Sequence, residues 1–146
     1  MIGKTGSDAT PARAAAVLYA ADVPRLQAFY ESVCGLEVAE STPDFVTLVS
    51  DRWELTMVVV PDRMAATLDP SDPPRRRSQT PIKLAFAVAS LADARSAALA
   101  AGGLVDGAEW AFHDALVCDG QDPEGNVVQF RSPRRPTATS SRPTRA

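Results

Sequence analysis

The stretch ADVPRLQAFYESVCGLEV, residues 21–38, contains a helix together with its start and stop signals. Asp22 is a residue type that caps helix N-termini, and Pro24 falls in the first turn, where a missing amide hydrogen costs little. Gly35 stands where a helix ends in a left-handed turn. The apolar residues between these signals follow the i, i+3, i+4, i+7 spacing of one helical face: Leu26, Phe29, Tyr30 and Val33. We therefore expect an amphipathic helix bounded by Asp22 and Gly35.

Short apolar segments surround this helix. One run precedes it at 14–21, and three segments rich in β-branched residues follow at 36–39, 44–50 and 53–60. Runs of this length, separated by turn-forming residues, are typical of strands. The predicted order is βαβββ.

The second half of the chain repeats this order. Residues 81–89, PIKLAFAVA, predict a strand, Ser90 a helix cap and 91–101 an alanine-rich helix. A shift of 68 positions aligns Asp22 with Ser90 and Gly35 with Gly103 without a gap. The later strands are expected at 111–118 and 126–131, where the offset grows to 73. Any two βα units share some of these features, but the coincidence of cap, stop and following leucine favours a repeated module.

These signals divide the chain into two modules and three connecting or terminal segments. The expected segments are a disordered N-terminus at 1–12, a first module at 13–60, a proline-rich linker at 61–80, a second module at 81–132 and a disordered tail at 133–146. The linker contains three consecutive arginines at 75–77. They are either a phosphate-binding patch or a solvated run flanked by Asp69 and Asp72, and charge runs are usually solvated.

The composition disfavours several classes of protein. The 146 residues are 45% hydrophobic and 23% charged, which is ordinary for a globular protein. The net charge is −3, yet residues 132–146 carry four arginines and no acid, so the remainder is more acidic and poorly suited to nucleic acid. No apolar run is long enough to span a membrane, and the N-terminus lacks the apolar region of a signal peptide. Cys34 and Cys118 are too few for a disulfide scaffold, so we expect the reducing cytoplasm.

Two stretches resemble a known superfamily. The strand–Asp–helix–Phe-Tyr–Gly-Leu pattern of 21–38 resembles the first module of the vicinal-oxygen-chelate superfamily, and CDGQDPEGNVVQF at 118–130 is similar to its closing hairpin. The resemblance covers about residues 14–131 and implies an α+β fold of two tandem βαβββ modules forming a curved mixed sheet with an open cleft. Members include metal-dependent lyases, isomerases, dioxygenases and transferases. Others are metal-free proteins that bind bleomycin, mitomycin and related drugs. Taken alone, residues 122–126 are explained by turn chemistry.

The resemblance places the superfamily's metal-ligand positions at Ala15, Thr56, Lys83 and Gln129. Divalent metals prefer imidazole, carboxylate or thiolate donors, whereas Ala15 has no donor and Lys83 is a cation. The sequence therefore predicts a metal-free member without a cofactor. The alternative is a residual metal site built from His113, Cys118 and Asp119, although a lone histidine rarely anchors such a site.

Strand alternation indicates which side chains line the cleft. Leu18 and Phe86 are expected to pack under the helices, so residues of the other parity face the cleft. The expected ligand-binding residues are Tyr19, Trp53, Glu54, Thr56, Lys83, Trp110, Gln129 and Arg131. A concave surface that mixes apolar and polar groups is typical of small-molecule pockets. The two tryptophans either stack on a planar ligand or serve in packing or a dimer contact.

Three functions remain in view. The first is a homodimeric, metal-free protein that binds a small organic compound, antibiotics and other secondary metabolites included. The second is a metal-independent isomerase or cyclase of secondary metabolism, with Glu54, Lys83 or His113 transferring a proton. The third, a metal-dependent glyoxalase-like lyase, is disfavoured by the ligand positions. If Glu54 and Lys83 face each other, they form either an acid–base pair or an ion pair in place of the metal. His113 is either a proton shuttle or a hydrated loop residue.

Overall fold

The computed structural model of the protein describes residues 12–68, 71 and 73–134. Its elements, in chain order, are β1 (Ala14–Ala20), α1 (Val23–Cys34), β2 (Glu37–Ser41), β3 (Phe45–Val49), β4 (Trp53–Val59), α2 (Asp62–Ala65), β5 (Leu84–Ala87), α3 (Leu91–Ala100), β6 (Trp110–Phe112), β7 (Ala115–Gln121) and β8 (Val127–Pro133). Most of the two ends predicted to be disordered, and Asp69 and Asp72 of the linker, lie outside the described residues.

The first helix begins and ends where the sequence predicts. The Asp22 side chain accepts a hydrogen bond from the Arg25 amide at 3.1 Å, which satisfies one of the free donors at the helix N-terminus. Gly35 adopts a left-handed conformation with φ of 64° and ends the helix. The apolar face is buried as expected through Leu26, Phe29, Tyr30 and Val33.

The strands form two four-stranded mixed sheets with the same topology. The strand orders are β1-β4-β3-β2 and β5-β8-β7-β6. β1 pairs in parallel with β4, and β5 pairs in parallel with β8. The other strand pairs are antiparallel. The α+β class and the tandem βαβββ modules predicted from the sequence are therefore confirmed. No helix of the described residues is long and apolar enough to cross a membrane.

The second module departs from the expected strand boundaries. Residues 111–118, expected as one strand, are a hairpin whose turn contains His113 at φ of +50°. Histidine is a weaker turn signal than glycine or asparagine, so the sequence hid this turn. The first strand of the module is also shorter than the predicted 81–89, because only Leu84–Ala87 pair with β8.

The linker is less irregular than expected. It contains the one-turn helix α2, and its arginines contact the second module. Arg76 forms an ion pair with Asp106 at 2.9 Å, and the Arg77 amide donates to the Gly125 carbonyl at 2.9 Å. Arg76 and Arg77 thus attach the linker to the second module, while Asp69 and Asp72, expected to flank the arginine run, lie outside the described residues.

One hydrophobic core joins the two modules. Helices α1 and α3 contact each other, and the aromatic rings of α1 reach the second sheet. Tyr30 packs on Phe86 with ring centroids 5.3 Å apart, and Phe29 packs on Phe130 at 6.5 Å. Aromatic pairs at these separations are worth about 0.5–1.5 kcal/mol beyond their buried area. The packing therefore fixes the orientation of one sheet relative to the other.

Asp122, in the turn before β8, provides a polar connection inside this core. The buried carboxylate accepts hydrogen bonds from the Tyr30 hydroxyl at 2.8 Å, from the Glu124 amide at 2.9 Å, and from the backbone and side-chain amides of Asn126 at 3.0 and 2.8 Å. Burial raises the pKa of Asp122, while the hydrogen bonds from Asn126 and Tyr30 lower it. The turn chemistry predicted for 122–126 is present, and Gly125 has a φ of +84°. The contact between Asp122 and α1 was not predicted.

Candidate functional site

Each sheet packs one face on the core and leaves the other, here called its concave face, without a covering helix among the described residues. On β1 the core-side residue Ala20 is buried, whereas Val17 and Tyr19 are 63% and 39% exposed. On β4, Leu55 and Met57 are fully buried and alternate with half-buried neighbours. The facing predicted from strand alternation is therefore the one observed.

The concave face of the first sheet is acidic. Pairing across β2, β3 and β4 aligns Glu37 with Val49 and Glu54, and aligns Glu40 with Thr47 and Thr56. Directly paired residues project to the same side of a sheet, so the three glutamates share this face. The Thr47 and Thr56 hydroxyls hydrogen-bond each other at 2.9 Å. Thr56 is one of the four positions at which the superfamily resemblance implies a metal ligand, so its hydroxyl already has a protein partner.

The concave face of the second sheet carries a connected set of charged and polar groups. The Lys83 ammonium pairs with Asp119 Oδ2 at 2.6 Å, and Asp119 lies directly across from Gln129 in the sheet. The Gln129 amide oxygen accepts a hydrogen bond from Arg131 Nε at 2.8 Å. The Arg131 guanidinium in turn lies 5.4 Å from the centre of the Phe112 ring, within the range of a cation–π contact. We call these five residues the second-face cluster.

Asp119 has one oxygen without a partner. Its Oδ1 is buried and makes no hydrogen bond with any of the described residues, although Oδ2 is paired with Lys83. A buried acceptor left unpaired costs about 1–3 kcal/mol, so this atom favours a bound water or a ligand donor. The sequence had suggested Asp119 only as part of a residual metal site. The sequence did not show that Asp119 lies across from Gln129, because this pairing depends on the register of β7 against β8.

Several expected site residues lie elsewhere. Lys83 pairs with Asp119, and no ion pair joins it to Glu54 among the described residues, so the condition set for a Glu54–Lys83 acid–base or ion pair is not met there. Trp53 lies on the core side of β4 with its ring edge-on to Phe86 at 5.9 Å, and it is not on the concave face.

Trp110 does lie on the second concave face. It pairs with Val117, which pairs in turn with Arg131, and its side chain is 39% exposed. It therefore offers a planar apolar surface beside the second-face cluster. Phe112, which the sequence did not single out, is 45% exposed on the same face. Phe112 lies two positions after Trp110 on β6, so the two side chains project to the same face. Recognition of the β6–β7 hairpin in the sequence would have predicted this.

His113 and Cys118 occupy structural positions. His113 lies in the exposed β6–β7 turn, with its ring 4.4 Å from that of Phe112. Cys118 faces the core, and its thiol donates to the Gly107 carbonyl at 3.0 Å. Burial raises the pKa of this thiol, with the Arg95 cation acting in the opposite direction, so the thiolate needed for a nucleophile is disfavoured.

A recess of about 220 Å³ lies where the two sheets meet. It is bordered by Val17 of β1, by Ile82 and Leu84 at the start of β5, and by Val127 of β8. Ile82 is 72% exposed, so apolar side chains of both modules remain open to solvent along this line. Isolated exposed apolar residues are ordinary, but a contiguous apolar border is typical of a binding or contact surface.

The side chains at the superfamily's ligand positions do not fit a divalent metal ion. Ala15 has no donor atom, Thr56 is hydrogen-bonded to Thr47, and Lys83 places an ammonium group at the third position. Divalent metals prefer carboxylate, imidazole or thiolate donors. The described residues contain no group of three or more His, Cys, Asp or Glu arranged to hold such an ion, including the suggested set of His113, Cys118 and Asp119.

Comparison with known proteins identifies the family. Residues 15–130 match the family described as a glyoxalase-like domain. The fold is similar to that of a glyoxalase/bleomycin resistance protein/dioxygenase family enzyme from Burkholderia phytofirmans PsJN, with 21% identity, a TM-score of 0.61, and coverage of 82% of this chain and 97% of that one. A glyoxalase/bleomycin resistance protein/dioxygenase from Alicyclobacillus acidocaldarius has 17% identity and a TM-score of 0.59, with 86% and 94% coverage.

A lactoylglutathione lyase from Agrobacterium tumefaciens has 20% identity and a TM-score of 0.52, with 84% of this chain and 93% of that one covered. No protein of curated function matches the sequence. Identities at this level show a shared fold and leave the chemistry open. Since the family match extends over most of the sequence and both modules, this chain belongs to the glyoxalase-like domain family.

Proposed function

We propose that this protein binds a small organic molecule on the concave face of its second sheet, without a bound metal ion. The observation that carries the proposal is the Lys83–Asp119 pair at 2.6 Å, because it puts a protein cation at a position where the superfamily holds a metal ligand. A lysine ammonium has no lone pair to give a metal and repels it electrostatically. Ligand recognition then depends on the protein's own side chains.

The surroundings of this pair support a binding site. Trp110 and Phe112 supply partly exposed aromatic area, and Gln129, Arg131 and Asp119 supply polar groups on the same face. Apolar contact combined with a few fixed polar groups is the usual composition of a small-molecule pocket. Antibiotics and other secondary metabolites have the size and mixed polarity that such a face accommodates. Because Cys34 and Cys118 are both free thiols, we propose the reducing cytoplasm as the compartment.

We further propose that a second copy of the chain completes the site. Val17 and Ile82 border the recess between the sheets and are the most exposed apolar side chains around it. A two-fold dimer covering this line would bury both side chains and enclose the concave face beside it. Light scattering should give a dimer mass for the wild type. The Val17→Lys, Ile82→Lys double variant should shift toward monomer, and a wild-type monomer at micromolar concentration would contradict the dimer.

The binding proposal is tested by ligand screening combined with metal analysis. Compounds from a secondary-metabolite library should raise the melting temperature of the metal-free protein, as any ligand that prefers the folded state does. Asp119→Asn should change the affinity for the best ligand, whereas Asp106→Asn, which removes a carboxylate from the exposed pair with Arg76, should leave it unchanged. Stoichiometric metal retained at Lys83 and Gln129, or binding that requires added metal, would overturn the proposal.

A metal-independent isomerase or cyclase is the second candidate. The buried, unpaired Oδ1 of Asp119 beside Lys83 is the observation that favours it, since a carboxylate next to an ammonium group can relay a proton. The Glu54–Lys83 version of this idea lacks the required contact among the described residues. Product analysis separates the candidates: an enzyme converts its ligand and loses turnover in Asp119→Asn, while a binding protein returns the ligand unchanged.

A further inference from the structure

We infer that the ligand of the second concave face is an organic anion with a planar body, whose carboxylate or equivalent oxyanion binds between Arg131 and Lys83. The inference rests on the proposed function and specifies the class of ligand. Its basis is that two cations contact the paired residues Asp119 and Gln129 of neighbouring strands. Lys83 reaches the Asp119 carboxylate across from Gln129, and Arg131 hydrogen-bonds the Gln129 side chain itself.

The guanidinium of Arg131 is held ready for a ligand. Its Nε hydrogen is used by Gln129 and its face rests on the Phe112 ring, so two contacts restrict its orientation. Its two terminal nitrogens have no hydrogen-bond partner among the residues that the structure describes. A planar guanidinium with both terminal nitrogens available matches a carboxylate in a two-point contact. Because Phe112 and Gln129 already restrict the side chain, less conformational entropy is lost when the ligand binds.

Lys83 supplies a second, weaker attraction. Its ammonium has three hydrogens, and one of them is taken by Asp119 Oδ2. Since the side chain is 38% exposed, the remaining hydrogens can reach a ligand placed over Gln129. Asp119 cancels one of the two positive charges, so the second-face cluster keeps an excess of one positive charge.

The first sheet provides an internal comparison. Its equivalent face carries Glu37, Glu40 and Glu54 and no basic residue on the paired rows of β2, β3 and β4. The two concave faces thus have opposite charge although they share one topology, and an anion is attracted to the second face and repelled by the first. Trp110 beside the cluster contributes a flat apolar surface, which favours a planar body over a branched one.

The test compares a planar anion with its neutral analogue. Isothermal titration calorimetry of the full chain with 2-naphthoate and 2-naphthamide isolates the contribution of the charge, because the two probes share one ring system. We expect 2-naphthoate to bind at least tenfold more tightly, and its affinity to fall as salt is raised. Arg131→Gln and Lys83→Gln should each remove about tenfold of the 2-naphthoate affinity and little of the 2-naphthamide affinity.

Two further variants guard against indirect effects. Arg76→Gln removes an arginine from an exposed ion pair outside the site and should leave the affinity for 2-naphthoate unchanged. Phe112→Leu keeps both cations but removes the ring under Arg131, so it should weaken 2-naphthoate severalfold even if another variant fails to fold. Equal binding of the two probes, unchanged affinity in Arg131→Gln, or no binding of 2-naphthoate would each overturn the inference. If neutral library compounds bind at this face while 2-naphthoate does not, the anion inference fails and the proposed binding function stands. If no compound binds at all, the proposed function itself fails.

Discussion

Glu124 connects the second module to the start of α1, and its replacement gives a quantitative test of how the modules are joined. Glu124 is 9% exposed, and its carboxylate accepts hydrogen bonds from the Ala21 amide at 2.9 and 3.1 Å and from the Asp22 amide at 2.9 Å. It thereby satisfies two donors just before a helix begins, from more than 100 positions away in the chain. The perturbations are Glu124→Ala and Glu124→Gln.

The contacts set the expected magnitude. A hydrogen bond to a charged group contributes a net stability of about 1.5–3 kcal/mol. Ala21 and Asp22 are exposed residues whose amides water can reach once Glu124 is gone, so the lower end of this range applies. Two amide donors, with the bifurcated Ala21 contact counted once, then give a loss of about 3 kcal/mol for Glu124→Ala. Glu124→Gln keeps one acceptor oxygen and should lose about half as much, together with the attraction of a carboxylate to the helix N-terminus.

Urea unfolding followed by tryptophan fluorescence measures both losses, and a melting temperature lower by about 10 °C is expected for Glu124→Ala. The matched control is Glu40→Ala, which removes an exposed carboxylate from β2 and should change stability by about 0.5 kcal/mol or less. Hydrogen exchange at the Ala21 and Asp22 amides should accelerate in the Glu124 variants alone. If Glu124→Ala is no less stable than Glu40→Ala, the two hydrogen bonds do not join the modules as argued.

Three further outcomes follow from local geometry. Gly125→Ala should lower the free energy of unfolding in urea by more than about 2 kcal/mol, because the φ of Gly125 is +84° and a Cβ would overlap the Arg75 carbonyl oxygen. Gly35→Ala should lower it by only about 1–2 kcal/mol, because Gly35 has a φ of +64° but open space around it. Equal losses in the two variants would argue against the overlap at Gly125. Burial raises the pKa of the Tyr30 hydroxyl well above its usual range, so the stability that the protonated hydroxyl contributes is present below about pH 10 and is lost as the pH rises further. Tyr30→Phe should therefore flatten the alkaline part of the curve of unfolding free energy against pH, and it should lower that free energy by about 1.5 kcal/mol at pH 7. His113→Val should destabilise the protein by about 1–2 kcal/mol in thermal unfolding, because valine tolerates the φ of +50° in the β6–β7 turn poorly. His113→Asn should leave both stability and any ligand turnover unchanged. Turnover lost in the asparagine variant would indicate that His113 is a proton shuttle.

Local signals in the sequence predicted much of the architecture. The cap at Asp22 and the stop at Gly35 bound α1, and the period-two alternation of β1 and β4 indicated which side chains face away from the core. These features depend on residues within a few positions of each other, because helix capping, turns and strand facing are properties of short segments. The same local chemistry failed at His113, where a residue without a strong turn preference closes a hairpin.

Partners across the chain were decided only by the tertiary structure. Lys83 pairs with Asp119 and not with Glu54, because β7 lies next to β8 while β4 belongs to the other sheet. The resemblance to the superfamily implied the four ligand positions, and the residue types at those positions are poor metal donors whatever the tertiary structure. Which charges surround those positions depends on strand register and on the packing of one module against the other, and neither is encoded in any single segment.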